Sequence, residues 1–357
     1  MGVFYLVILV PVIIQHITIK NYRIEYQHRN KIAMRIFFVL LTLLAGFRHK
    51  SIGNDTYNYM MFFVRSARIA WGNLDRDNFE IGFAYFNKLI TLLTKDPQVY
   101  LVVAAVITSA LIYPTYKRLC VDASLTIALF CVMSTFGMMF SGLRQMLAVG
   151  IGFFAYRFTR ERRLLLFILA LLLAFSVHTS AFMLVFMYPL YHAKVTKKWL
   201  LVVVPILALC FAFNNQIFSF LGLFLEKYTK YEVEISSTGA YTMLFLIGMF
   251  VAFSFLIPDE KKLDAEILGQ RNFLLLVFAL QMFAPLHSTA MRMGFYYMIF
   301  VPLLLPKIIE CRSKRWNQVA IFGRHVMVVF FLVYFFTGAS GDPLNMFPYH
   351  FFWEVVG

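Results

Sequence analysis

Charge is what this chain lacks. Only 14% of its 357 residues are charged, against 61% hydrophobic, where a soluble domain carries about 25% charged residues. The shortage excludes a soluble globular protein and leaves an all-α polytopic membrane protein. Cysteine is scarce as well. Of the four, Cys131 and Cys210 lie inside hydrophobic runs, and Cys120 and Cys311 stand beside basic loops, so no extracytoplasmic disulfide framework is expected. Patterns of the H-E-x-x-H, G-x-S-x-G, Walker and dinucleotide-binding types are absent, which argues against a zinc protease, a serine hydrolase and an ATPase. No repeat, low-complexity tract or soluble domain interrupts the chain, which reads as a single transmembrane domain over 1–357. A secretory signal is missing too: the apolar run from Val3 to Ile19 has no basic residue before it and several after it, the order of a first span with its N-terminus outside.

Runs long enough to cross roughly 30 Å of hydrocarbon predict twelve spans: 2–19, 34–48, 98–116, 125–141, 144–158, 164–178, 180–193, 199–213, 240–257, 272–287, 292–309 and 325–338. With the N-terminus outside, 22 of the 33 Lys and Arg residues fall in the inner loops. Of the other 11, seven sit in one outer loop and the rest are Arg144, Lys227, Lys230 and Arg292. This is the positive-inside pattern, so the net charge of +15 does not point to nucleic acid. Pro205, Pro302 and Pro306 are expected to break their helices.

The long outer loop, 48–97, is the polar centre of the chain. Ile81 to Leu93 is apolar enough to suggest a further span, but it is only about thirteen residues long and contains Asn87 and Lys88. An interfacial helix fits better. Tyr57 to Ile69 reads as another, with Arg65 and Arg68 turned to lipid phosphates. Phe218 to Tyr231, in a second outer loop at 214–239, is a third.

Three arginines stand at outer ends of spans: Arg48, Arg144 and Arg292. Guanidinium groups grip phosphate oxygens bidentately and keep their charge when partly buried. Arg144 and Arg292 open helices, where the dipole disfavours a cation, so an anion is expected to compensate them. The competing reading is snorkelling to lipid headgroups. His178 and His287, each followed by small hydroxyl residues, also stand at outer ends and suit proton transfer or phosphate binding, or plain interfacial hydrogen bonding. Asp55 and Glu80 are carboxylates of the long loop. Each also reads as a helix cap, Glu80 at capping-box spacing after Asp77. Asp75-Arg76-Asp77 has a D-x-D form, but inside a turn it carries little weight as a metal site, and no metal or other cofactor is expected. Tyr57, Tyr59, Trp71, Phe79 and Tyr85 suit stacking on sugar faces, or equally an interfacial aromatic belt.

F-R-x-x-x-x-G-N-D-T-Y-N-Y (Phe47 to Tyr59) followed by F-E-I-G-F (Phe79 to Phe83) resembles the opening loop of the EpsG family of polysaccharide polymerases. S-G-L-R-Q-M-L-A (Ser141 to Ala148), H-T-S-A (His178 to Ala181), R-M-G-F-Y-Y (Arg292 to Tyr297) and N-M-F-P-Y-H-F-F (Asn345 to Phe352) follow in the family's order. Asn54 where Thr is frequent and Ile81-Gly82 where Pro-Gly is common are departures that leave the charged positions intact. The resemblance implies a Wzy-type polymerase of the bacterial cytoplasmic membrane with an architecture similar to the GT-C class. Such an enzyme moves a growing glycan from undecaprenyl pyrophosphate to a lipid-linked repeat unit on the outer side. It implies undecaprenyl-pyrophosphate-linked oligosaccharides and membrane lipids as partners, with a flippase and a chain-length regulator beside them. On this reading Arg48, Arg144, Arg292 and His287 hold pyrophosphate, and Asp55, His178 and Glu80 are the catalytic candidates. Tyr57, Tyr59, Gln145 and Tyr296 then contact substrate. A lipid-glycan flippase would also need the arginines, but it predicts ionisable groups at mid-membrane, and here charge gathers at span ends. A membrane O-acetyltransferase is a third reading.

The charge pattern predicts that single cysteines at Ser51 and Ser340, in a background without native cysteine, react with an impermeant thiol reagent added from outside. A cysteine at Ser313 should stay unlabelled, and its labelling from outside would reverse the orientation.

Overall fold

The computed structural model describes every residue except 1, 17–21, 74–78, 196, 223–236, 259, 287, 312–316, 339–341, 343 and 357. Among the described residues the regular structure is entirely helical, with one isolated bridge between Arg48 and Phe351. The chain divides into two compact units, Met1–Phe182 with Ile321–Gly357, and Met183–Ala320.

The first unit is built on α1 (Gly2–His16), α2 (Tyr22–Phe47), α3 (Thr56–Arg68), α4 (Ile81–Ile90), α5 (Pro97–Leu119), α6 (Ala123–Val132), α7 (Thr135–Ser141), α8 (Leu143–Arg160) and α9 (Leu164–Val177). Helices α1, α2, α5, α8 and α9 pack each against the next. Small residues allow the close approaches: Gly46 of α2 lies against Val102, and Gly150 of α8 against Leu111. Start signals in the sequence are used as written. Asp96 accepts from the backbone N–H of Gln98 at 2.6 Å, with Pro97 in the first turn, and Asp122 accepts from Leu125 N–H at 3.1 Å.

In the second unit α10 (Met187–His192), α11 (Leu200–Ala212), α12 (Asn214–Gly222), α13 (Ser237–Leu256), α14 (Ala265–Gln281), α15 (Ser288–Met298) and α16 (Val301–Glu310) follow in order. Helix α14 is its hub, packing on α10, α13, α15 and α16. The Asn272 amide donates to the carbonyls of Leu190 and Ala193 at 2.8 and 2.7 Å, closing the end of α10. Arg271, fully buried, pairs with Glu260 at 3.1 Å. The last helix, α17 (Asn317–Gly338), returns mostly to the first unit.

The twelve expected stretches are mainly helical where described, although 272–287 leaves its helix after Gln281, and twelve spans are not reached on length and composition. Among the described residues four helical segments are long and apolar enough to cross a membrane (Tyr26–Phe47, Pro97–Leu119, Gly239–Leu256, Gln318–Gly338), or six if each of two bent pairs is one span. The rest fall short for physical reasons. At 1.5 Å per residue, the 13-residue α11 and 14-residue α9 reach only about 20 Å. The stretch 180–193 is an eight-residue 3-10 turn followed by six residues of α-helix. The expected span 125–141 bends by 57° between α6 and α7, where Ser134 takes the left-handed conformation at φ 59°. Boundaries also move: α2 begins at Tyr22 rather than 34, and α14 begins after the Asp264 cap rather than at 272. Of the three prolines expected to break helices, only Pro302 falls at a break, the 47° bend between α15 and α16. Pro205 and Pro306 lie inside α11 and α16.

The long loop folds as two helices, α3 and α4, close to the expected ranges. At ten residues, α4 measures about 15 Å and is no span. Its polar pair is placed otherwise than expected, however: Asn87 and Lys88 are buried. Lys88 Nζ donates to the carbonyls of Ser66 (2.9 Å) and Ile69 at the end of α3, so its charge closes that helix. Arg65 and Arg68 are exposed. The third interfacial candidate is helical to Gly222, and its remainder, with Lys227 and Lys230, lies outside the described residues.

Helix α4 approaches α9 at Gly82, where a Cβ would lie 2.6 Å from the carbonyl oxygen of Ser176 and closer still to its hydroxyl. Gly82→Ala is expected to destabilise the fold by about 1–3 kcal/mol, read as a lower Tm. Gly72→Ala, at a site with open space around it, should leave Tm nearly unchanged.

Candidate active site

Helix α3 leans on α5 and α4 leans on α9, and α5 and α9 flank α8. The link between α3 and α4, which carries Phe79 and Glu80, is thereby carried to the first turn of α8, where Arg144 stands. Glu80 is the first residue before α4, yet its carboxylate makes no cap bond. One oxygen instead accepts from the Thr179 backbone N–H (2.9 Å) and the Thr179 hydroxyl (2.7 Å). The other pairs with Arg144, whose guanidinium also lies over the Phe79 ring, 4.9 Å from its centroid. The anion expected to compensate Arg144 is thus supplied by the chain itself. Both side chains of the pair keep 20% of their surface exposed, and Arg144 Nε has no hydrogen-bond partner among the described residues.

Burial alone would push the Glu80 carboxyl up. Arg144, the two Thr179 bonds and nearby His178 outweigh it together and hold the group below its ordinary value of 4.5. His178 precedes Thr179 and is half-buried. Its Nδ1 accepts from the Ser180 hydroxyl (2.7 Å) and the Ser180 backbone N–H (3.2 Å), which places the proton of the neutral ring on Nε2.

The G-N-D-T element docks beside this cluster. Gly53 has φ 85° and presses on the Phe140 carbonyl, where a Cβ would overlap it. The Asn54 backbone N–H donates to Ser141 Oγ at 3.1 Å and the Thr56 hydroxyl to Phe140 O at 3.2 Å. Asp55 precedes α3 as its N-cap residue but makes no side-chain cap bond. The capping expected of Asp55 and Glu80 is therefore realised by neither side chain.

Arg48 is placed differently from its expectation. Its side chain turns inward and is 1% exposed. Nε donates to Thr56 Oγ1 at 3.1 Å, one NH group donates to Ala45 O, and the other has no partner among the described residues. Leu143 and Met146 of α8 border a small cavity at its side, so Arg48 lies behind the helix that presents Arg144. Of the aromatic candidates, Tyr57 is exposed, whereas Tyr59 is buried against Phe79 and Phe83 at ring distances of 6.0 and 5.6 Å. Gln145 is buried. Arg292, exposed, and Tyr296, buried, belong to α15 of the second unit. His287, Asp75 and Asp77 lie outside the described residues.

The structure therefore brings Glu80, Arg144 and His178 together, with Arg48 and Asp55 on the adjoining loop. Sequence reasoning missed Thr179 and Ser180 as working residues, although both stand in the quoted H-T-S-A, because small hydroxyl residues beside a helix end carry no signal of their own partners. The profile of the EpsG family matches residues 31–351. The chain belongs to the EpsG family. EpsG proteins are bacterial and resemble Wzy-type polymerases, and the match takes in all six motif stretches except the last residue of the tail element. No curated protein and no solved structure matches the chain.

Because Glu80 is held below its ordinary value, its contribution to stability is fully present above pH 4.5 and drains away as pH falls through the depressed value. Unfolding followed against pH in nanodiscs should show this acid loss in the wild type and lack it in Glu80→Gln. Arg144→Ala, which strands the carboxylate, should cost about 1–3 kcal/mol at neutral pH, discounted toward the lower end because the pair is partly solvated.

Proposed function

We propose that this EpsG protein is a metal-independent polysaccharide polymerase. It transfers a growing glycan from undecaprenyl pyrophosphate to the non-reducing end of a lipid-linked oligosaccharide repeat unit, on the outer face of the bacterial cytoplasmic membrane. The observation that carries this reading is the Arg144–Glu80–Thr179–His178 cluster, which draws three separate family motif elements into one partly open, charged site. Family membership supports polysaccharide polymerisation in general, and the cluster supplies the chemistry. As the bond from the sugar to the carrier breaks, negative charge builds on the diphosphate, and preorganised guanidinium groups stabilise it. In this proposal Arg144 makes the contact, and Arg48 adds positive charge from behind α8.

The acceptor hydroxyl needs a base within hydrogen-bond reach. In its neutral form His178 is arranged to donate from Nε2 while Nδ1 is occupied by Ser180, which favours a loop carboxylate, Asp55 or Glu80, for that task. Tyr57 and Gln145 line the sugar path, and Tyr59 supports it from within. Twelve membrane crossings and a GT-C-like layout, with loop 48–97 outside, are part of the same proposal, as are a flippase and a chain-length regulator as neighbours. The phosphoanhydride-linked carrier provides the driving force, so no nucleotide or other cofactor takes part.

The test is a glycan ladder made by purified protein from lipid-linked repeat units, with chelator present. Arg144→Ala should lower polymer output by about two to three orders of magnitude, and Arg144→Lys should rescue little. Near-normal polymer from Arg144→Ala at matched expression, or a ladder that requires an added divalent ion, would count against the proposal.

A further inference from the structure

Resting on the polymerase reading, we propose that Glu80 is the stand-in anion of Arg144: an incoming lipid diphosphate displaces it, and the displaced carboxylate then takes the proton of the acceptor hydroxyl. Four observations carry this. Glu80 stands immediately before a helix and leaves the cap unmade, so its placement is not explained by α4. It reaches instead to an arginine 64 residues away. One carboxylate oxygen stays tethered by the Thr179 backbone and hydroxyl, so release from Arg144 swings the other oxygen without losing the group. The pair is one-fifth exposed and Arg144 Nε is unpartnered among the described residues, which leaves the guanidinium one unmet donor for a better anion. A diphosphate offers more charge and more acceptors than one carboxylate, and the bidentate geometry suits it.

The exchange changes what Glu80 can do. Paired with Arg144 it is a weak base. The charged groups facing it are Arg144 on α8 and His178 beyond α9, with the Thr179 donors on its tethered oxygen; residues 74–78 on its own strand of chain lie outside the described residues. Once the diphosphate neutralises Arg144, burial acts with less opposition and raises the proton affinity of the carboxylate. In the transfer step the acceptor oxygen bonds to the anomeric carbon and the bond from that carbon to the phosphate oxygen breaks. The electron pair leaves on the lipid diphosphate, which gains one negative charge, and the hydroxyl proton passes to Glu80. Base strength is thereby delivered only when the donor is in place.

Full-length protein in nanodiscs, titrated with farnesyl diphosphate, reads the exchange directly. Glu80→Gln keeps an oxygen for the Thr179 donors but frees Arg144, so it should bind the probe about tenfold more tightly than wild type, while its polymer output falls by about a hundredfold or more. Glu80→Ala should shift binding in the same direction and serves if Glu80→Gln does not fold. In the wild type the acid limb of kcat should lie at higher pH than that of kcat/KM, because the first reports the donor complex and the second the free enzyme. Unchanged or weaker probe binding in both variants overturns the exchange, as do coincident acid limbs. A glutamine variant that binds more tightly and still polymerises normally overturns the base assignment. Should wild type make no polymer at all, the polymerase reading fails, and the binding comparison still judges the exchange.

Discussion

An ion pair between Glu80 and Arg144 ties together stretches of chain that lie 64 residues apart, and the same carboxylate reaches Thr179, 99 residues away. The arrangement of the first unit follows from satisfying these groups. A cation in the first turn of a helix is opposed by the helix dipole, and an isolated half-buried carboxylate is expensive. Each is tolerable only beside the other. The loop 48–97 must therefore fold back over α8, and α3 and α4 are the means of doing so: one rests on α5, the other on α9.

Behind this pair the fold uses charge as internal fastening. Lys88 closes the end of α3 through two carbonyls, and Arg48 joins the end of α2 to Thr56. At the far end of α2, Asn30, Gln15, Asp122 and Ser124 form a buried network that Arg324 completes through Asp122 at 3.1 Å. Buried polar groups are costly when unmet and rigidifying when met. The first unit thus has polar fastenings at both ends of its helices and an apolar middle, the distribution that a membrane interior enforces.

Much of this was legible in the sequence, and the failures have physical causes. The loop helices were legible because Ile81 to Leu93 is apolar but too short to span, and because Tyr57 to Ile69 reads as a helix of the interface. In the structure α3 buries Thr56, Tyr59, Phe62, Phe63 and Ser66 at helical spacing. The need for an anion at Arg144 followed from its helix position. Its identity did not, because which carboxylate arrives is decided by how α3 and α4 pack. Arg48 was expected to face outward because charge at a span end normally does, but Thr56 and Ala45 offer it partners inside. The break between α6 and α7 left no trace, since Met133-Ser134-Thr135 contains neither Gly nor Pro to mark it. Span number was the least legible quantity: apolar runs mark helices well but do not fix which of them are long enough to cross.

The tail element gives the first unit a particular order of assembly. His49 N–H donates to His350 O and Phe352 N–H to Phe47 O, both at 2.9 Å, Gly53 N–H donates to Asn345 O at 2.8 Å, and Tyr349 Oη donates to Leu44 O at 2.8 Å. Phe4 is packed by rings from Phe347 and Tyr349 as well as Phe136 and Phe140. A segment some three hundred residues downstream thus supplies the backbone partners for the turn that carries Arg48 and the G-N-D-T element. During synthesis these groups are made some three hundred residues before the groups that satisfy them. The turn beside the charged cluster must wait, partly unpaired, until the tail element has been made, so chains that stop short of it hold the right residues without the surface that arranges them.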